Sequence, residues 1–238
     1  MQTPLGSYLK AWEQAQCDAI VADLFGYHAL QLGLPDLHTL QTNRMPHRWL
    51  AVAHAPENFE TIPEAETLTP IDFVTDYTAL PFFENSLDLL VLPHSLELSA
   101  DPHATLREAQ RVLVPEGKLL IISFNPISLW GFKRWRQPDF IPEVGELIGN
   151  MRLKDWLKLL NFEIEISQFG CHRPAIQNGK WLKRFAWMDK LGNSSWSLFG
   201  GVHLLVAVKR VHGVRMMSPN WQNSRVKGVA PVSIARKQ

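Results

Sequence analysis

The side chains best placed to do chemistry stand directly after short apolar runs. His94 follows LDLLVLP, and a histidine changes its charge near neutral pH without a large shift. Glu97 lies three residues further on. Asp76 and Tyr77 follow residues 72–75, His54 follows WLAVA at 49–53, and Gly33 closes residues 28–33. Asn125 and Pro126 follow GKLLIISF at 117–124. Proton transfer at His94, with Glu97 second, and hydrogen-bond acceptance at Asp76 are the chemistries these types offer. Each has a plainer reading beside it. His94 would then only shape a loop, Asp76 would cap a turn, and Asn125 would either touch a ligand or hold the turn before Pro126.

Other chemistries lack their signatures. His28 and His38 are ten apart, and His47 and His54 are seven apart with no third ligand, so no metal site is expected. No G-x-S-x-G elbow, phosphate loop or catalytic Cys–His pattern is present. The two cysteines, Cys17 and Cys171, make neither a disulfide framework nor a zinc set. A reducing, cytoplasmic setting is the default expectation.

These positions need elements to hold them. Residues 5–25 carry Leu5, Tyr8, Leu9, Trp12, Ala15, Ala19, Ile20 and Leu24 at near-helical spacing, with Gly26 as a stop. Strands are expected at 28–33, 49–53, 72–75, 87–92, 117–124, 162–167 and 202–209. A helix is expected between the first two strands, and others at 102–113, 152–160 and about 180–189. The alternation predicts an α/β fold, a mostly parallel sheet with helices on both faces. Ligands then sit at the carboxyl ends of the strands, where the residues named above stand. One domain is expected over 1–212, with its core at about 28–210, and a basic, flexible tail at 213–238.

The chain has 238 residues, 46% hydrophobic and 20% charged, which excludes disordered, collagen-like and coiled-coil readings. No run approaches the ~20 apolar residues of a membrane span, and the polar start predicts no secretion. The charge is uneven. Residues 1–165 carry 12 Lys and Arg against 22 Asp and Glu, whereas residues 166–238 carry 12 against one, Asp189. Trp181, Trp187, Trp196 and Trp221 lie in that basic third. Either it neutralises the acidic part within one fold, or it meets RNA or another acidic partner. SLWGFKRWR at 128–136 reads as a lid, as an interfacial segment on lipid or RNA, or as a helix docked on the core.

An ordered set of motifs adds to this. Asp76, Leu80-Pro81-Phe82, Ser86-Leu87-Asp88, His94-Ser95-Leu96-Glu97, Arg111-Val112-Leu113 and Pro115-Glu116-Gly117 follow one another over residues 71–126. The pattern resembles the class I S-adenosylmethionine-dependent methyltransferases, in particular the type 11 methyltransferase domain. Residues 152–166 and 202–210 resemble that family's later helix and last strands. The resemblance covers about residues 20–210 and implies a Rossmann-like, mostly parallel seven-stranded sheet.

It also implies roles. Asp76 matches the acid that accepts a hydrogen bond from the adenine amino group, and Leu80 and Phe82 would wall the purine. Gln31 and Gly33 stand at the first glycine-rich motif, which here reads Gln31-Leu32-Gly33-Leu34-Pro35-Asp36-Leu37. Gln31 replaces an acid, and Pro35 and Leu37 replace two glycines. His54 stands near the position of the ribose-binding acid. Tyr77, Pro93 and His94 complete the cofactor-binding set. The implied function is S-adenosylmethionine-dependent methyl transfer to an unidentified acceptor, with His94 the candidate base. The alternative is a non-catalytic module of this fold that binds RNA or a protein partner through the basic aromatic third. A further rival docks on a membrane surface through Trp130–Arg136.

Overall fold

A computed structural model describes residues 3–54, 70–137, 145–189, 192 and 196–211. The chain forms a seven-stranded sheet in the order β3-β2-β1-β4-β5-β7-β6. The strands are β1 (His28–Leu32), β2 (His47–Val52), β3 (Phe73–Val74), β4 (Leu87–Pro93), β5 (Leu113–Phe124), β6 (Phe162–Gly170) and β7 (Val202–Lys209). All pairings from β3 to β5 are parallel, and β7 runs antiparallel to both neighbours. β4 and β7 are nearly continuous apolar runs because both faces are covered. Along β7 the side chains alternate between two cores, with Leu205 and Ala207 in one and Leu204 and Val206 in the other.

The first core is closed by α3 (Pro102–Val112), through Leu106 and Ala109, and by α5 (Asn150–Leu159), through Leu153 and Leu157. The second is closed by α1 (Pro4–Val21), through Leu5, Leu9, Cys17 and Val21, and by α6 (Gly179–Arg184), through Leu182. Asp101 caps α3 by accepting from the Ala104 amide at 2.9 Å, and Thr3 caps α1 through Gly6.

Three expectations are corrected. α1 ends at Val21, not at 25, because the Asn43 amide donates to the Val21 and Leu24 carbonyls and takes over from the helix's own bonds. No helix joins β1 to β2: residues 33–46 form turns, whose Leu37, Leu40 and Met45 pack under α1. The helix expected at about 180–189 is interrupted: it runs over Gly179–Arg184, turns at 185–186 and is helical again at 187–189. A short helix that the sequence reading did not foresee, α2 (Ser95–Leu98), starts immediately after β4. Residues 213–238, the expected tail, lie outside the described residues.

Asp88 shows how a motif residue serves the fold. Its Oδ2 accepts from the Tyr27 and His28 amides at 2.8 and 2.9 Å, which fixes the start of β1 beside β4.

Candidate functional site

The carboxyl ends of β1, β3 and β4 converge on Gly33. Its φ of 81° is a conformation that a side chain resists. A Cβ built there would lie 3.0 Å from the Tyr77 hydroxyl, 3.4 Å from the Ser95 hydroxyl and 3.9 Å from the Pro93 carbonyl oxygen. The Gly33 amide donates to the Ala51 carbonyl at 2.7 Å, tying the turn to β2. Ser95 reaches back across the turn to the Leu32 carbonyl. The result is a bare stretch of backbone faced by two hydroxyls. Tyr77 is buried, which pushes its phenol above the usual range, against a bond to the Ala53 backbone that lowers it.

Asp76 stands at the rim, exposed. Its Oδ1 accepts from the Thr78 amide at 2.8 Å and from the Thr78 hydroxyl at 2.9 Å, and these bonds hold the carboxyl below the usual range. Asp76 is thus a turn-former that stays ionised in water. His54 is also exposed, at the end of the segment that follows β2. Gly33, Tyr77 and Pro93 are brought together with Asp76 adjoining, whereas Gln31 and His94 face inward.

Gln31 is buried beneath the β1 turn. Its amide nitrogen donates to the carbonyls of Gly33, Leu34 and Leu37 at 3.0, 3.0 and 2.8 Å. Its oxygen accepts from the Thr39 amide and hydroxyl at 3.2 and 2.6 Å. One side chain therefore organises the whole turn.

His94 takes a left-handed conformation, φ 56°, between β4 and α2. Its Nδ1 lies 2.8 Å from Glu97 and its Nε2 2.8 Å from Glu13 of α1, and all three side chains are buried. Burial alone would lower the imidazole pKa, but the two carboxylates outweigh it and push it up to about 10. Glu97 also accepts from the Phe124 amide, and the His94 ring packs 4.1 Å from the Phe124 ring. An imidazolium holding both protons has no lone pair to offer. The proton-acceptor role expected of His94 does not suit this geometry, and a positioning role does.

Packing bears on two further positions. Phe82 packs against Trp49 and Phe73, with ring centroids 5.4 and 5.9 Å away, and remains partly exposed. The Leu80–Phe82 turn is held by α3: Glu108 accepts from the Leu80 amide, and Arg111 donates to the Leu80 and Phe82 carbonyls. Asn125 takes its turn-forming reading. It donates to the Leu198 and Gly200 carbonyls and accepts from the Ile127 amide.

Sequence reasoning missed Glu13, Ser95 and His203. Glu13 had a signal, since it stands at every-fourth-residue spacing with Leu5, Leu9, Cys17 and Val21 on the buried face of α1. His203 faces Ser123 across the β5–β7 pair, and both are fully buried. Neither ring nitrogen of His203 has a hydrogen-bond partner among the described residues, and burial drives its pKa down to about 3. No group of three His, Cys, Asp or Glu that could hold a metal occurs among the described residues.

Comparison with known proteins agrees with this architecture. Residues 38–121 match the family described as a methyltransferase domain. An uncharacterized protein of Escherichia coli (strain K12), YafS, is 37% identical over 145 residues, 59% of this chain and 56% of that protein. The ubiquinone/menaquinone biosynthesis C-methyltransferase UbiE of Cereibacter sphaeroides is 31% identical over 93 residues, 37% of each chain. The chain thus spans little more than half of the first relative and about a third of the second. A crystal structure of an S-adenosylmethionine-dependent methyltransferase from Thermotoga maritima superposes with a TM-score of 0.62 at 13% identity, covering 87% of this chain and 91% of that one.

Proposed function

We propose that this chain, which has the class I methyltransferase fold and matches the methyltransferase domain family over residues 38–121, binds S-adenosylmethionine and transfers its methyl group to an acceptor. The observation that supports it most is the cradle at Gly33, where three strand ends meet beside an ionised, exposed Asp76. In doubly wound sheets that edge is where a nucleoside cofactor lies. The residues present fit such a group. The absence of a Cβ at Gly33 lets Tyr77 and Ser95 pack against the turn and hold its backbone at the sheet edge, and the exposed Asp76 carboxylate can accept from an amino or hydroxyl donor. His54 follows the carboxyl end of β2, at the same edge of the sheet. Gln31 acts through the turn it holds.

When bound, the cofactor supplies a methyl group already activated on a sulfonium. This chain's work is then alignment and exclusion of water. The His94 imidazolium, fixed between Glu13 and Glu97, locks the end of β4 to α1 and, through Glu97, to the end of β5. It sets the shape of the edge and takes no proton. An acceptor that suits this site needs no base from His94.

Titration calorimetry with S-adenosylmethionine and S-adenosylhomocysteine tests the reading. Saturable binding of both is expected, weakened at least roughly tenfold in Asp76→Ala, the loss expected for one charge-assisted hydrogen bond. Absence of binding by a protein that unfolds cooperatively would sink the enzyme reading and leave a binding module of this fold.

A further inference from the structure

The chain carries an apolar surface that the methyl-transfer reading does not use. It surrounds the carboxyl end of β5. There α4 (Leu129–Arg136) buries Trp130, whose Nε1 donates to the Arg173 carbonyl at 2.7 Å and whose ring packs toward Phe124. The opposite side of α4 is an open stripe. Leu129, Phe132, Trp135 and Arg136 follow at spacings of three, six and seven from Leu129, which sets them along one side of the helix. Leu129 is 51% exposed, Phe132 54% and Trp135 79%. A cavity of about 620 Å³ lies beside the stripe, lined in part by Pro126, Ile127, Phe132, Trp135 and Leu147.

The patch continues onto a second segment. Asn125 ties Ile127 and the Leu198 carbonyl together, so exposed Ile127 sits next to the single-turn helix Ser197–Phe199. Leu198 and Phe199 there are 64% and 55% exposed. An apolar patch of this extent, rimmed by polar groups, marks a docking surface. Arg136 is the exposed cation on this side, its guanidinium 6.0 Å from the Phe132 ring centre, whereas Lys133 donates to the Ala175 carbonyl and Arg134 to the Gly145 carbonyl.

We infer that this surface docks on an anionic phospholipid bilayer, with α4 lying in the interface. An amphipathic helix with large apolar side chains on one face and Lys and Arg around them suits that plane, and tryptophan favours the headgroup depth. The composition separates a bilayer from RNA. Aromatic rings stack on bases, but Ile127, Leu129 and Leu198 offer no stacking and gain only from an apolar phase. The net positive charge of α4, with Arg136 exposed beside the apolar stripe, complements anionic headgroups. Docking through α4 would turn the carboxyl edge of the sheet toward the membrane. The acceptor class it implies is a lipid-soluble molecule reached from the bilayer surface.

Co-sedimentation of the full chain with vesicles tests this without reading any methyl transfer, so it stands or falls separately from the cofactor site. The parent chain is expected to pellet with vesicles of phosphatidylcholine mixed with phosphatidylglycerol and to be released as salt rises. It is expected to stay in solution with phosphatidylcholine alone. The double substitution Phe132→Glu with Trp135→Glu should weaken pelleting at least roughly tenfold, since it removes two apolar anchors that docking would bury. Both positions are exposed, so the variant's thermal unfolding should match the parent's. Arg136→Gln should weaken pelleting by a smaller factor. Failure to pellet with the anionic vesicles at low salt overturns the proposal, and so does pelleting unchanged by the double substitution. Loss of RNA binding or of a dimer in that variant, with no vesicle binding by the parent, overturns it in favour of those occupants.

Discussion

The Nε2 of His94 lies 2.8 Å from a Glu13 carboxylate oxygen, across 81 residues of sequence, while Nδ1 meets Glu97 at the same distance. This pairing couples α1 to the strand edge that carries the candidate site. Its pH behaviour has a definite sign. The folded state raises the His94 pKa from 6.5 to about 10, so the stabilisation is complete below about pH 6.5 and is lost as pH rises through the folded value. Burial raises Glu97 as well, ahead of the opposing His94 charge, and this acts in the same direction. The melting temperature is therefore expected to fall from neutral pH toward pH 10. His94→Asn keeps a residue that tolerates φ 56° and strands two buried carboxylates, at a cost of about 3–5 kcal/mol at neutral pH. Denaturant unfolding of parent and variant across that range checks both. An alkaline limb of equal slope in the two proteins would refute the assignment.

His203 gives the opposite limb. Its folded pKa falls from 6.5 to about 3, chiefly through burial and then through the His94 charge. Stability is full above about pH 6.5 and is lost as pH falls toward the folded value, because the unfolded chain binds a proton that the folded one refuses. His203→Leu removes this limb. It should also be neutral or stabilising at pH 7, since it replaces two unpartnered ring nitrogens by an apolar side chain. Thermal melts of the variant between pH 4 and pH 7, roughly the window between the two pKa values, should be flatter than the parent's.

The resemblance to class I methyltransferases would set an acid at the position of Gln31, which invites the substitution Gln31→Glu as a repair. The geometry argues the reverse. The amide donates to three carbonyls, those of Gly33, Leu34 and Leu37, and a carboxylate there would face three oxygens with nothing to donate. The substitution is expected to destabilise the fold by about 2–4 kcal/mol and to weaken cofactor binding rather than restore it. Chemical denaturation alongside calorimetry reads both. Tighter binding in Gln31→Glu would show that the amide network is dispensable.

The central strands were legible because they are apolar runs bounded by turn residues, and the order of the 71–126 motifs suggested which strand was which. β7, with all eight residues buried, is the clearest case. The site was legible only at its rim. Asp76, Tyr77 and Gly33 stand at strand ends, so position alone brought them to one edge. His94 stands there too, but its role depends on Glu13, a partner on another element that only the packing of α1 reveals. The missing helix between β1 and β2 was hidden for a similar reason. Gln31 and Asn43 supply the bonds that a helix would have made, and a single side chain bonding several carbonyls has no periodic signature.

The contact between Gly33 and Tyr77 is the most direct handle on the cradle. Gly33→Ala puts a Cβ 3.0 Å from the Tyr77 hydroxyl and forces a side chain into φ 81°. The backbone part costs about 1 kcal/mol or more, and no neighbouring change can recover it. The contact part is different, because Tyr77→Phe removes the oxygen that the new methyl meets. The single substitution Gly33→Ala should lower both stability and cofactor affinity. Adding Tyr77→Phe should recover a portion of each, giving a coupling on the order of 0.5–1 kcal/mol in a double-mutant cycle. Recovery of affinity along with stability would tie the bare backbone at Gly33 to the ligand. Recovery of stability with affinity still lost would mean that the Tyr77 hydroxyl itself serves the ligand. Strict additivity in the cycle would mean that the two residues do not share the space the geometry gives them.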